Sequence, residues 1–93
     1  MLDADSVSTA VDGCEFIIHC AQPVTSDNSD REAVVKPAVE GTKAVMAAAV
    51  MHKVKRIVYT GSISSMYDFP EVPNPINESH WSDPNLPSIS AYN

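Results

Sequence analysis

The 93-residue sequence predicts an α/β fold built on one βαβ unit. Three observations lead there. Two short apolar runs, residues 15–20 and 56–60, are continuous rather than alternating, which suits strands buried on both faces of a parallel sheet. Helical periodicity fills the stretch between them. That stretch, roughly thirty residues, is long enough for the crossover that parallel strands require, and such crossovers are right-handed.

The elements follow in order. Asp5 to Val11 reads as a short helix capped by Asp5, with Val7, Ala10 and Val11 on one face and Gly13 at the left-handed stop. Glu15-Phe16-Ile17-Ile18-His19-Cys20 is the first strand, and Ala21-Gln22-Pro23 ends it because proline cannot continue a central ladder. Val24 to Asp30 is a polar loop. From Arg31 to about His52 runs a long helix. Val34, Ala38, Val45 and Ala49 trace its apolar stripe, and Glu32, Lys36, Glu40 and Lys43 its charged one. Pro37 lacks an N–H and crowds the preceding turn, so a kink or two helical pieces are expected. Gly41 and Ala47-Ala48-Ala49 would let a neighbouring backbone come close. The basic stretch 53–56 reads as cations near a helix C-terminus, ahead of the second strand. From Asp68 to Ser88 the chain changes character: Pro70, Pro73, Pro75, Pro84 and Pro87 punctuate a long irregular loop, a kind of segment that is often functional. Ser88 to Asn93 begins another helix.

Composition narrows the function. Six basic and twelve acidic residues give a net charge of −6, which argues against nucleic-acid binding, where Lys and Arg neutralise phosphates. No apolar run approaches the ~20 residues that span a bilayer, and Met1-Leu2-Asp3-Ala4-Asp5 lacks the features of a signal peptide, so a soluble, cytoplasmic protein of one domain at most is expected. Cys14 and Cys20 lack metal-site spacing and read as reduced thiols packed as small hydrophobes. Asn77-Glu78-Ser79 fits a glycosylation acceptor only by chance. Met46 and Met51 read as core. His19, with no second ligand at useful spacing, reads as a packed, hydrogen-bonded histidine rather than a metal ligand. Trp81 suits either the wall of a substrate pocket or a pin for its loop.

In an open parallel sheet, ligands bind beyond the carboxyl ends of the strands. That rule selects Cys20-Ala21-Gln22-Pro23 and Thr60-Gly61-Ser62-Ile63-Ser64 as a binding edge. The edge alone does not name a ligand.

Five stretches taken together resemble a family. They are Val11-Asp12-Gly13-Cys14-Glu15-Phe16-Ile17-Ile18-His19-Cys20-Ala21-Gln22-Pro23, Lys36-Pro37-Ala38-Val39-Glu40-Gly41-Thr42, Val54-Lys55-Arg56-Ile57-Val58-Tyr59-Thr60-Gly61-Ser62, Asn77-Glu78-Ser79-His80-Trp81-Ser82-Asp83 and Ser90-Ala91-Tyr92. In this order and spacing the chain is similar to the extended short-chain dehydrogenase/reductases of the NAD-dependent epimerase/dehydratase superfamily, in the branch of dihydroflavonol 4-reductases and cinnamoyl-CoA reductases. The resemblance implies a partial Rossmann-type NAD(P)-binding domain with a doubly wound parallel sheet. It implies an oxidoreductase that reduces an aldehyde or ketone to an alcohol with NADP or NAD, NADPH being favoured, on a small-molecule substrate. By the same resemblance Ser62 orients the substrate carbonyl and Tyr92 is the general acid, while Ala21, Gln22, Pro23, Thr60 and Gly61 contact the cofactor. The chemistry is coherent. Hydride delivery builds negative charge on the carbonyl oxygen, which needs a positioned donor, and a tyrosine of pKa about 10 needs a neighbouring cation to serve near neutrality. The family's lysine for that task falls four residues after the tyrosine, beyond Asn93.

There are departures. Gln22 replaces a small residue of the family's Ala-Ser-Pro turn, and Ala38 stands where many members carry asparagine. With only Gly13, Gly41 and Gly61, the sequence holds no Gly-rich pyrophosphate turn. Residues 1–93 are therefore expected to be an internal piece of a larger domain, inactive alone, without that turn and without the C-terminal substrate region. Rival readings are a nucleotide-sugar epimerase or dehydratase, a 3β-hydroxysteroid dehydrogenase, or a truncated, non-catalytic product.

Overall fold

A computed structural model describes residues 3–24, 30–68 and 70–86. Its element order is helix α1 (Ala4–Val11), strand β1 (Phe16–His19), helix α2 (Arg31–Met51), strand β2 (Arg56–Tyr59) and a 3₁₀ turn (Ile63–Met66). The strands pair in parallel, with Phe16 opposite Arg56 and His19 opposite Tyr59. The ladder continues past both ends, from the Lys55 N–H to the Glu15 carbonyl (2.8 Å) and from the Thr60 N–H to the His19 carbonyl (3.0 Å). This is a partial Rossmann-like α/β unit with one helical layer.

Helix α1 starts one residue before the expected point, because its cap is Asp3 and not Asp5. The Asp3 carboxylate accepts from the N–H groups of Asp5 and Ser6 at 3.1 and 3.2 Å, leaving Asp5 inside the first turn, where its charge favours the helix dipole. Gly13 ends the helix at φ +76°, as its sequence position suggests.

Helix α2 is one helix of 21 residues, not two pieces. Pro37 costs it one backbone bond, to the carbonyl of Ala33. Asp30 caps the N-terminus through the Ala33 N–H (3.0 Å). Burial concentrates in the second half, at Gly41, Val45, Ala48 and Ala49. The C-terminus closes as a Schellman motif: Val54 N–H bonds the Ala49 carbonyl (2.9 Å) and Lys53 N–H bonds that of Val50 (3.2 Å). Lys53 occupies the left-handed position of that motif at φ +56°, where glycine has no steric penalty.

The two helices are tied at their C-terminal ends by His52. Its Nε2 lies 2.9 Å from Ser8 Oγ and its Nδ1 3.2 Å from Asp12 Oδ1. This has the connectivity of a hydrolase triad but not its surroundings. The N–H groups beside Ser8 are engaged in helix bonds, so no donor pair faces its oxygen. It is a clamp between helices. A second cross-chain pair, Lys55 to Glu15 at 2.6 Å, draws one of the basic residues of 53–56 across the sheet rather than to the end of α2.

The core is small. Val11, Val45, Ala48 and Ala49 are its buried apolar side chains among the described residues. Several expectations fail for the same reason: the helices cover one face of the sheet. Phe16, Ile18 and Val58 point to the other and are 62%, 74% and 54% exposed, so the strands are not buried on both faces. Met46 and Met51 lie outside the core, and Cys14 and Cys20 are free and exposed rather than packed. His19, on the covered face beside Tyr59, is buried as expected, yet its Nε2 has no hydrogen-bond partner. The described residues of 67–86 carry turns and one isolated antiparallel bridge, Asp68 to Glu71. No helix among the described residues is long and apolar enough to cross a membrane.

Two outcomes are expected. The isolated chain, with so much apolar sheet exposed, should bind a hydrophobic dye such as ANS and lose structure over a broad temperature range; a sharp, cooperative transition of a monodisperse monomer would contradict this. Lys53→Gly should relieve the left-handed strain and slow amide exchange at residues 52–54 by about threefold, or ~0.5–1 kcal/mol.

Candidate functional site

Parallel pairing sends both chain segments out of the sheet at the same edge. Cys20–Val24 leaves β1 there and Thr60–Ser62 leaves β2, and the side chains of Cys20 and Thr60 meet at 3.2 Å (Sγ to Oγ1). Behind them stands the N-terminal half of α2. These three pieces enclose a cavity of about 450 Å³, within the range of small-ligand pockets.

Its walls differ in character. One is apolar, formed by Val24, Val34, Val35, Ala38 and Val39. The facing one carries Cys20, Gln22, Tyr59, Thr60, Gly61, Ser62 and Ser65. A Cβ built on Gly61 would meet nothing within 4 Å, so backbone is open to the cavity there. Arg31 and Pro84 complete the rim. Arg31 is the cation and no carboxylate accompanies it among the described lining residues, although the whole chain carries −6.

Of the residues singled out from the sequence, Gln22, Pro23, Thr60, Gly61 and Ser62 line this cavity together. Ala21 is exposed and does not. Tyr92 lies outside the described residues. Gln22 reaches across the strand ends, where its Nε2 donates to the Tyr59 hydroxyl. Ser62 caps the 3₁₀ turn: its Oγ accepts from the Ser64 N–H (3.2 Å) and lies 2.7 Å from the Ser64 hydroxyl. Ser65 Oγ donates to the Ser62 carbonyl at 2.7 Å, which steadies the same turn.

Arg31, Tyr59 and Pro84 are site residues that sequence reasoning missed. Arg31 reads as the first residue of a helix and Pro84 as one proline among several, separated by 53 positions; the Arg31 Nη2–Pro84 carbonyl bond (3.1 Å) has no local signature. Tyr59 reads as a buried strand residue, but its hydroxyl emerges at the edge. A second cavity, about 470 Å³, lies beyond the 3₁₀ turn and is lined by Tyr67, Asp68, Glu71, His80 and Trp81 among others. Trp81 is 74% exposed and forms part of that wall. No cluster of three or more His, Cys, Asp or Glu side chains suited to a metal occurs among the described residues.

Comparison with known proteins agrees with this architecture. Residues 1–89 match the 3-beta hydroxysteroid dehydrogenase/isomerase family. The chain is 42% identical over 85 residues to a cinnamoyl-CoA reductase 2 of Medicago truncatula, covering 89% of this chain and 24% of that protein. It is 33% identical over 87 residues to an anthocyanidin reductase of Arabidopsis thaliana (89% and 26%) and 35% identical over 81 residues to a dihydroflavonol 4-reductase of Callistephus chinensis (84% and 22%). It thus spans about a quarter of the length of these relatives. With a family match running along nearly the whole chain, and its parallel strands ending at one open edge, the protein belongs to the 3-beta hydroxysteroid dehydrogenase/isomerase family.

Proposed function

We propose that residues 1–93 form part of the dinucleotide-binding domain of an NAD(P)-dependent reductase that converts a carbonyl to an alcohol, with NADPH the favoured cofactor. One observation carries the reading: the cavity at the carboxyl ends of two parallel strands is open to backbone at Gly61 and holds a cation with no carboxylate among its described lining residues. Such a lining suits an anionic dinucleotide. The relatives named as reductases support carbonyl reduction over sugar epimerisation. In this reading Gln22, Pro23, Thr60 and Gly61 hold the cofactor, Ala21 lies outside the cavity, and the turn that grips its pyrophosphate belongs to another part of the full-length protein.

A bound nicotinamide supplies the hydride; the chain's own groups manage the oxygen that becomes negative. Ser62 can do so while still capping its turn. Its Oγ accepts from the Ser64 N–H, and in the arrangement where the Ser64 hydroxyl is the donor of their 2.7 Å contact, its own O–H is left to donate to a substrate oxygen. Tyr92 is assigned the proton transfer, from its phenol to that same oxygen, with a cation beyond Asn93 lowering its pKa. The apolar wall at Val34, Val35 and Val39 would exclude water from the face where hydride arrives.

In the full-length protein, Ser62→Ala should slow carbonyl reduction about a hundredfold, the scale for loss of one donor to a developing oxyanion, with dinucleotide affinity about unchanged. Steady-state kinetics beside a fluorescence titration would separate the two, and an unaffected rate would refute the assigned role. Titrated with NADPH and with NADH, the 93-residue chain should bind only weakly, at about millimolar Kd; tight binding would overturn the partial-domain reading. The coding sequence offers a further check: absence of a Gly-rich strand–turn–helix before Met1, and of a lysine four residues after Tyr92, would overturn the enzyme reading itself.

A further inference from the structure

The outer rim of the strand-end cavity includes Pro84, far along the chain, and three hydrogen bonds hold its segment, residues 82–86, in place. The Ser82 N–H donates to the Ser65 carbonyl (2.9 Å), on the 3₁₀ turn that Ser62 caps. The Asp83 N–H donates to the Asp68 carboxylate, at 3.1 Å to Oδ1 and 3.3 Å to Oδ2. The Arg31 guanidinium donates to the Pro84 carbonyl (3.1 Å), across the mouth of the cavity.

The first bond joins two backbones and survives any side-chain change. The other two depend on side chains fifteen and fifty-three positions away. Each has one charged partner, the stronger class of hydrogen bond. The segment itself offers little else to hold it. Apart from the half-buried Leu86 its residues are small or polar, and Asp83 already uses Oδ1 to receive the Asn85 N–H at 2.9 Å.

We propose that Asp68 and Arg31 are positioning residues that fix segment 82–86, and with it Pro84 at the rim of the strand-end cavity, and so set how freely that cavity opens to solvent. The inference deepens the reading of the cavity as a dinucleotide site, and rests on that reading only for the identity of the ligand. Asp68 belongs to the wall of the second cavity, so one carboxylate braces the partition between the two. Asp68→Asn would keep an accepting oxygen at this point, whereas Asp68→Ala would remove it.

The wall's own amides are the reporter, since Cys20 is exposed in the intact protein. Hydrogen exchange of the full-length protein, read by mass spectrometry, follows the two amides that the bonds hold. Asp68→Ala should speed exchange at Ser82 and Asp83 about threefold. Asp68→Asn should restore the slow rate, and Arg31→Ala should speed exchange at Asn85 in the same segment. Exchange at Ile17 and Ile57, within the sheet, should stay unchanged in every variant and shows that the fold persists.

Unchanged exchange at Ser82 and Asp83 in Asp68→Ala with the sheet intact overturns the proposal, as does Asp68→Asn behaving like Asp68→Ala. Adding NADPH to the unsubstituted full-length protein tests the other reading separately. Slower labelling of Cys20, which lines the cavity, supports the dinucleotide site, and its absence counts against that site while amide exchange at Ser82 and Asp83 still decides the role of Asp68 and Arg31.

Discussion

The parallel pairing of Phe16–His19 with Arg56–Tyr59 is the constraint on which the rest depends. Two strands running the same way cannot be joined by a tight turn, so the chain must cross over, and here the crossover is a 21-residue helix. The same pairing brings both strands to a close at one edge. Cys20 and Thr60, forty positions apart, become neighbours there, and the turns that follow them become one wall of a cavity. Site and crossover are consequences of a single register.

The register also explains the weakness of the core. Side chains alternate across a strand, so the helices receive Ile17, His19 and Ile57 and leave Phe16, Ile18 and Val58 uncovered. Three of the four buried residues of α2, Gly41, Ala48 and Ala49, are small, which permits close approach but buries little area each. Polar ties therefore matter more than they would in a thicker protein. His52 clamps the helix ends, Lys55 and Glu15 join across the strands, and the irregular segment is held by backbone and charged side-chain bonds.

Much of this was legible in the residues. Unbroken apolar runs marked both strands, Gly13 marked the end of α1, and the rule that ligands sit beyond strand ends selected six of the residues that line the cavity. Misreadings have physical causes. Asp3 and Asp5 are equally good caps by type, and only backbone conformation chose Asp3. Pro37 breaks isolated helices, but packing of the turns after it keeps α2 continuous. The exposed methionines and cysteines were assigned to a core because hydrophobicity reports what a side chain prefers, whereas the number of covering layers decides what it receives. Arg31 and Pro84 carried no signal, since a guanidinium-to-carbonyl bond across fifty-three positions depends on no local pattern.

Sequence by itself determined the order and types of α1, β1, α2 and β2, the parallel pairing they imply and the edge at which a ligand would sit, because each follows from periodicity, chain-breaking residues and the length of a crossover, while the helix expected from Ser88 lies outside the described residues. The tertiary structure decided which face of the sheet the helices cover, which hydroxyl meets Gln22, and which charged side chains hold the far rim of the cavity. Those are contacts between distant segments, and their partners are selected by three-dimensional proximity rather than by spacing along the chain.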